Sequence, residues 1–375
     1  MAYEFSKELL IDKLDRINKN LIFIFVTLFT IGISTLYSAS NGSIKAWPIR
    51  QLMYFLFFFP ISIAIAVTDI NFWFKNSYVI YFFTLLLLLL VAIIGHNSMG
   101  ATRWINLGFI RIQPSEFMKM GLILALARYF FQSSLTELDS NKKLIAPLVM
   151  FIVPCLLILK QPNLGTALIL SAIMVSILFF IGVGIKKFVI CFVIALALVP
   201  IAWKFVLHDY QKQRVMTFLN PDSDPLNSGY NIMQSKIAIG SGGIWGKGFL
   251  KGTQGQLKFL PEKHTDFIFT ILCEEFGFIG SVAVVSLYVA LFAMLIYIIA
   301  NCGHTFGRVI VGGIFINLFC HFFINIGMIT GILPVVGTPL PLFSYGGSIT
   351  ATTLISLGFV LNVDLNRDVE IKVSL

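Results

Sequence analysis

The stretch Phe259-Leu-Pro-Glu-Lys-His-Thr-Asp-Phe-Ile-Phe269 carries the densest chemistry in this chain. Glu262, Lys263, His264 and Asp266 fall close together, immediately before a long apolar run that holds Glu274 and Glu275. Charged groups at the rim of a hydrocarbon slab are costly unless paired or hydrated. In a chain that is only 12% charged, such a concentration asks for a chemical role. A carboxylate at a membrane rim can have a raised pKa and take a proton from a hydroxyl nucleophile. The competing reading of Asp266 is an acid at a helix N-terminus, favoured there by the macrodipole. With Glu262, Lys263 and His264 beside it and Glu274 two turns deeper, chemistry is the better reading.

A second pair, Glu116 and Lys119, shares one helix face at i,i+3. Pro114 suits the first helical position and places Glu116 in the first turn, where capping is an ordinary role. Lys119 lies a turn deeper and needs an anion, with Glu116 the nearest in sequence; a structural pair and a functional cation both fit. Arg103 and Arg111 precede this helix and suit phosphates or lipid head groups. Lys160-Gln-Pro-Asn-Leu-Gly-Thr166 reads as a tight turn with Asn163 as an N-cap. His96, His208, His264, His304 and His321 have no metal-ligand spacing, nor have the five cysteines, none of which falls in an outer loop.

The elements that must position these groups are membrane helices. Hydrophobic residues make up 57% of the 375, with 37 Phe, which excludes a soluble globule. Apolar runs long enough to cross a hydrocarbon core of about 30 Å recur at about 21–40, 51–68, 78–95, 115–131, 144–160, 164–184, 188–206, 267–300, 308–331 and 347–363. This is an all-α polytopic membrane protein of about ten transmembrane helices. Thirteen Lys and Arg fall in short loops on one side against five on the other. The positive-inside rule then puts both termini in the cytoplasm. The net charge of +9 is a topology signal and an attraction to anionic membrane lipids, and implies no nucleic-acid partner. The first run is too long for a cleaved signal and reads as a signal anchor.

One membrane domain spans residues 1–375, with a cytoplasmic arm at 1–20 and a polar cytoplasmic loop at 132–143. A long extracytoplasmic loop, 207–265, joins spans seven and eight. Within it, Tyr230, Met233 and Ile237 at helical spacing predict a short helix lying on the membrane surface. Gly240-Ser-Gly-Gly-Ile-Trp-Gly-Lys-Gly248 is a tightly turning segment, and its spacing is not that of a P-loop. A Pro- and Gly-rich outer loop, 333–347, contains Ser344 and Tyr345 and no charge, so it should be buried against protein or line a cavity. The acids and bases thus gather on the face without ATP, and a synthesis there needs a substrate that brings its own activation. A polyprenyl-pyrophosphate-linked sugar fits, with cations on the pyrophosphate and a carboxylate as base.

At these residues the chain strongly resembles the SEDS family of bacterial cell-wall polymerases, the group of RodA and FtsW. The likeness covers nearly the whole chain. It rests on Gly100-Ala-Thr-Arg-Trp-Ile-Asn-Leu-Gly108, Gln113-Pro-Ser-Glu-Phe-Met-Lys119, Gln161-Pro-Asn-Leu-Gly-Thr166, Gln234-Ser-Lys-Ile-Ala-Ile-Gly-Ser-Gly-Gly243, Phe259 to Gly280, and the loop ending Ser344-Tyr-Gly-Gly-Ser348. The short tails and Gly337-Thr-Pro-Leu-Pro-Leu-Phe-Ser-Tyr345 look more like the elongation member than the division member.

The resemblance implies a peptidoglycan glycosyltransferase in the bacterial inner membrane, polymerising lipid II into glycan strands during elongation. Undecaprenyl pyrophosphate leaves, and the partners are a class B penicillin-binding protein and other elongation-complex proteins. It makes Asp266 the catalytic base and Glu116 with Lys119 the paired groups on span four. Arg103 and Arg111 join Lys119 as candidates for the pyrophosphate, alone or with a divalent cation (Mg or Mn). Glu262, Lys263, His264, Ser344 and Tyr345 are expected to shape or bind substrate. Where the family commonly has Gln-Pro-Asp, this chain has Asn163, which puts an acidic or cation-holding role at that turn in doubt. The rival expectations are a flippase for the lipid-linked precursor and a non-catalytic scaffold for the transpeptidase.

Overall fold

The computed structural model describes residues 12–94, 96–98, 101–106, 108, 111–132, 141–205, 209–220, 228–256 and 262–371. Helices occupy all ten predicted runs: α1 (Lys19–Ala39), α2 (Trp47–Val67), α3 (Ile70–Ile94), α4 (Pro114–Phe131), α5 (Asn141–Lys160), α6 (Leu164–Phe180), α7 (Ile185–Phe205), and, after the long loop, α11 (Ile268–Asn301), α12 (Thr305–Thr330) and α13 (Gly347–Leu365). The loop contributes α8 (Asp209–Leu219), α9 (Ser228–Ser241) and α10 (Thr253–Gln256). Among the described residues, seven helices are long and apolar enough on their own to cross a membrane. Of the others, α6 has only 17 residues, and α4 carries Glu116, Lys119 and Arg128.

Contacts at the helix ends sort the molecule into two faces. Asn18, at the start of α1, donates to Asp364 at the end of α13 (3.0 Å). Lys13 donates to the carbonyl of Val67 (2.9 Å), and Arg128 to that of Lys75 (2.6 Å). The N–H of Gly303 bonds Arg367 O (2.9 Å). These are the ends that the Lys and Arg distribution assigns to the cytoplasm, and the two described chain ends meet there. The arm before residue 12 and most of the predicted 132–143 loop lie outside the described residues.

Three features depart from the sequence reading. Helix α3 begins at Ile70 rather than near residue 78, because Asp69 Oδ1 accepts the N–H of Asn71 (2.9 Å) and caps an earlier start. The α3–α4 connection holds a small antiparallel sheet, β1 (His96–Ser98), β2 (Ala101–Asn106) and β3 (Arg111–Ile112), in the order β1-β2-β3. Ile105 pairs with Ile112 and Asn106 with Arg111, so the fold is all-α only within its spans. Helix α9 forms as expected but seats on protein. Ile232, Ser235 and Ala238 are its buried side, with Ser235 bonded to Thr270 Oγ1 (2.9 Å) and Ile329 O (3.0 Å). Met233 and Ile237 face outward.

The core lies around α4, α12 and α13, whose side chains are buried along most of their lengths. The 34 residues of α11 are two helices merged across a break at Gly277 (φ 64°, ψ −157°). Into that break the glycine-rich segment docks by backbone: Lys247 and Gly248 donate to the carbonyls of Glu274 and Glu275 (3.0 and 2.9 Å), and Phe278 donates to Gly243 O (2.9 Å). A Cβ on Gly277 would press on the backbone nitrogen of Gly246 and stand 2.7 Å from Ile244 O. Strain at positive φ and overpacking each cost about 1–3 kcal/mol. Gly277→Ala should therefore lower the thermal unfolding temperature and the folded yield in detergent, and an unchanged melt would show that the docked segment gives way freely.

Candidate active site

Asp266 stands in the last turn before α11, half-buried, at the face where the 333–347 loop folds back. Two residues of α12 one turn apart tie that loop down. Asn325, fully buried, donates Nδ2 both to Asp266 O (2.9 Å) and to Thr338 O (2.8 Å). His321 Nδ1 bonds Pro339 O (3.1 Å). Ser344 Oγ accepts from Leu340 N (2.8 Å) and donates to Thr265 O (2.6 Å), while Tyr345 N donates to His264 O (2.9 Å). Irregular backbone at the membrane rim is thus satisfied internally, as its apolar surroundings require.

Burial pushes the Asp266 carboxyl up to about 7, with nearby Glu262 adding to the rise and Arg214 opposing it. The group is therefore poised to exchange a proton near neutrality. Arg214, from α8, donates to Val336 O (2.9 Å). A Cβ on Gly337 would stand 3.3 Å from Asp266 Oδ2 and 3.9 Å from Arg214 Nη1, so both groups crowd the glycine on its exposed turn.

The second constellation sits in the interior. Lys119 Nζ lies 3.0 Å from Glu116 Oε1 and 2.7 Å from His321 Nε2. An ammonium only donates, so Nε2 accepts and Nδ1 carries the proton given to Pro339 O. Glu116 Oε2 is 3.8 Å from His321 Nε2 and has no hydrogen-bond partner among the described residues. Glu116 and Lys119 are thus joined through His321 to the same loop that packs on Asp266.

The remaining predicted residues divide by what they touch. Lys263 is buried with its ammonium on Gly255 O (2.5 Å), and Ser344 is fully buried between two backbone partners. Both side chains bond backbone groups of the loops beside Asp266. Glu262 Oε2 accepts from Thr265 Oγ1 (3.1 Å), shaping the turn before Asp266. His264 stacks on Trp47 with ring centroids 4.4 Å apart and 6° between planes; burial lowers its pKa, which keeps it neutral at pH 7. Tyr345 leans toward His264 (6.0 Å) and Tyr54 (6.4 Å). Arg103 Nε donates to Gln161 O (3.1 Å), and its guanidinium also reaches Pro162 O. Arg111 is exposed, and its carbonyl takes a bond from Ser348 Oγ (3.0 Å).

Glu274 and Glu275 both engage the long loop. Glu274 Oε1 accepts from Lys247 Nζ (2.7 Å), Thr253 N (2.8 Å) and Gln254 N (3.1 Å). Glu275 accepts from Ser38 Oγ and from Gly252 N (3.4 Å). They fasten the long loop to α11. Leu260 and Pro261, which precede Asp266 in the sequence, lie outside the described residues. Sequence reasoning missed His321, Asn325 and Arg214; the available signal was two polar residues at i,i+4 in an apolar span, which must face the bundle interior. Among the described residues no three His, Cys, Asp or Glu side chains are grouped to hold a metal ion.

The same arrangement of helices and loops occurs in solved proteins. A chain in the structure of a peptidoglycan synthase complex that coordinates polymerization and crosslinking superposes with a TM-score of 0.82 at 29% identity, over 95% of this chain and 99% of that one. The rod shape determining protein RodA of Thermus thermophilus gives 0.71 at 27% identity, with the same coverage of both chains. In sequence, the chain is 46% identical over 289 residues to the peptidoglycan glycosyltransferase MrdB of Escherichia coli (strain K12), covering 76% of this chain and 78% of that protein. It is 30% identical over 422 residues to the peptidoglycan glycosyltransferase RodA of Treponema pallidum (strain Nichols), covering 92% and 97%. The model of the FtsW/RodA/SpoVE family, described as cell cycle proteins, matches residues 17–369. With nearly its whole length inside that match, this multi-pass membrane chain belongs to the FtsW/RodA/SpoVE family, the SEDS proteins.

Proposed function

We propose that this chain is a peptidoglycan glycosyltransferase that polymerises lipid II into glycan strands at the outer face of the bacterial inner membrane during elongation. The carrying observation is Asp266, a carboxyl titrating near neutrality in a turn at the membrane rim, clamped by Asn325 to the loop tied to Lys119. Asp266 takes the proton of the acceptor 4-hydroxyl. The oxygen attacks the anomeric carbon of the lipid-linked sugar, the C–O bond to pyrophosphate breaks, and the electron pair leaves with undecaprenyl pyrophosphate. The arginines at the outer face balance the anion, while Lys119 acts through His321 on the loop that packs on Asp266. Family membership and the likeness to a chain of a polymerising and crosslinking complex support a class B penicillin-binding protein as partner.

The test uses purified full-length protein with its transpeptidase partner and lipid II. Polymer formed from substrate supplied in detergent, where no bilayer needs crossing, is the expected result. Movement of labelled lipid II across proteoliposomes with no polymer in either setting would instead establish a flippase.

A further inference from the structure

Gln51 of α2 is 1% exposed, and its amide engages the end of the outer loop and the start of α13. Nε2 donates to Ser344 O (3.2 Å) and to Thr350 Oγ1 (2.9 Å), and Oε1 accepts from Gly346 N (3.2 Å). A carbonyl only accepts and a backbone N–H only donates, so these partners fix which way the amide points. Thr350 Oγ1 donates in turn to Gly346 O (2.8 Å), closing the network around the residue that precedes α13. The next links lead to the reacting carboxyl. Ser344 Oγ donates to Thr265 O (2.6 Å) and Tyr345 N to His264 O (2.9 Å), on the two residues before Asp266. Trp47 and Tyr54 lie one turn to either side of Gln51 and share its face of α2. Trp47 stacks on His264 (4.4 Å), and the Tyr54 and Tyr345 rings are 6.4 Å apart. At its cytoplasmic end α2 is fastened to α13 again, by Asn362 Nδ2 on Ile65 O and Ala66 O (both 3.0 Å). Between the two ties, a Cβ on Gly358 would stand 2.6 Å from Ser62 O. The helix pair is thus one stiff support, and its outer end bears on Asp266.

We propose, resting on the role assigned above to Asp266, that Gln51 is a positioning residue: through Ser344 and Gly346 it sets where the Asp266 turn stands. It acts through the loop and not on substrate. A general base must meet the acceptor hydroxyl within hydrogen-bond reach, and a displacement of about 1 Å can cost about 10²-fold in rate. An apolar side chain of similar length at position 51 would leave Ser344 O and Gly346 N without their partner at once. Those buried groups then turn toward water, and the Asp266 turn follows, because Ser344 Oγ and Tyr345 N are bonded to it. Water that reaches the carboxyl removes the burial that raises its pKa. Loss of the clamp therefore shows both in the rate and in the titration of the base.

The test compares two variants of the full-length protein with its transpeptidase partner in detergent. Gln51→Met removes the outer tie, and Asn362→Leu cuts the tie at the far end of the same helix pair. Both should lower the melting temperature. Per folded molecule, Gln51→Met should lower kcat for lipid II polymerisation by about 10²-fold with KM unchanged, and Asn362→Leu should leave both at the wild-type value. A second readout needs no turnover. The carboxylic-acid infrared band that Asp266→Asn abolishes should titrate at about 7 in wild type and Asn362→Leu, and lower in Gln51→Met. Should Gln51→Met not fold, Gln51→Glu takes its place; it keeps the acceptor for Gly346 N, loses the donor to Ser344 O, and should show the same loss of kcat. Wild-type kcat with an unshifted band overturns the positioning role. So does an equal loss of kcat in Asn362→Leu, which would make the effect one of packing alone, and so does a rise in KM with kcat unchanged. If the wild type makes no polymer yet the band still shifts in Gln51→Met, the proposed function fails and the clamp on Asp266 stands.

Discussion

Asp266→Asn should cut polymer formation from lipid II by about 10²–10⁴-fold, the usual contribution of a positioned general base, while the protein remains folded. Asparagine fills the same space and leaves the backbone bond from Asn325 to residue 266 intact. It cannot accept a proton. The wild type should gain activity as pH rises through about 7, where the Asp266 carboxyl ionises. The residual activity of the variant should lack that limb. Stability should move the other way. A folded carboxyl at about 7 holds its proton more tightly than an unfolded one near about 3.9, so the folded state loses stability as pH rises between those values. The variant has no such loss, and above pH 7 it should melt at or above the wild-type temperature. Undiminished polymer from the variant would remove Asp266 from the reaction, and a lower melt at pH 8 would mark it as a structural acid.

That opposite movement of activity and stability is what a site under burial strain produces, and it explains which parts of this molecule were legible from its residues. The spans were legible because hydrocarbon tolerates only long apolar helices, so Phe-rich runs can fold in one way. Asp266 was legible because a charged group before such a run is expensive wherever it points. What could not be read was the partner of each polar atom. Ser344 and Lys263 have the chemistry of substrate-binding groups, and only the return of the 333–347 and 207–265 loops shows that backbone carbonyls engage them. Glu274 stands deeper in the same helix as an apparent second acid, yet its donors come from Lys247, Thr253 and Gln254, more than a dozen residues away along a connection with no periodic pattern. The small sheet escaped for a related reason. Its strands are at most six residues long, too short to show alternation against an apolar background. His321 and Asn325 were a missed opportunity, since two polar groups one turn apart in a membrane helix already predict an inward-facing polar seam.

The largest stability effect lies in the interior pair. Lys119→Met should destabilise the protein by about 3–5 kcal/mol, the cost of leaving one buried charge without its partner. Glu116 would keep a carboxylate with 7% side-chain exposure and no cation, and His321 Nε2 would lose its donor. The double variant Glu116→Gln with Lys119→Met removes both charges, and buried pairs replaced together often cost little. It should recover most of the lost melting temperature in detergent, and the double-mutant cycle should report a coupling of about 1–3 kcal/mol. Polymerisation should not return with stability. The bond from Lys119 to His321 fixes the ring that holds Pro339, and with it the loop whose Thr338 carbonyl is clamped to Asp266 through Asn325. Recovered folding without recovered polymer therefore separates the two roles of this pair. A double variant whose loss equals the sum of the losses of Lys119→Met and Glu116→Gln would show that the two side chains contribute independently. A double variant that polymerises normally would show that the link through His321 carries no part of the reaction.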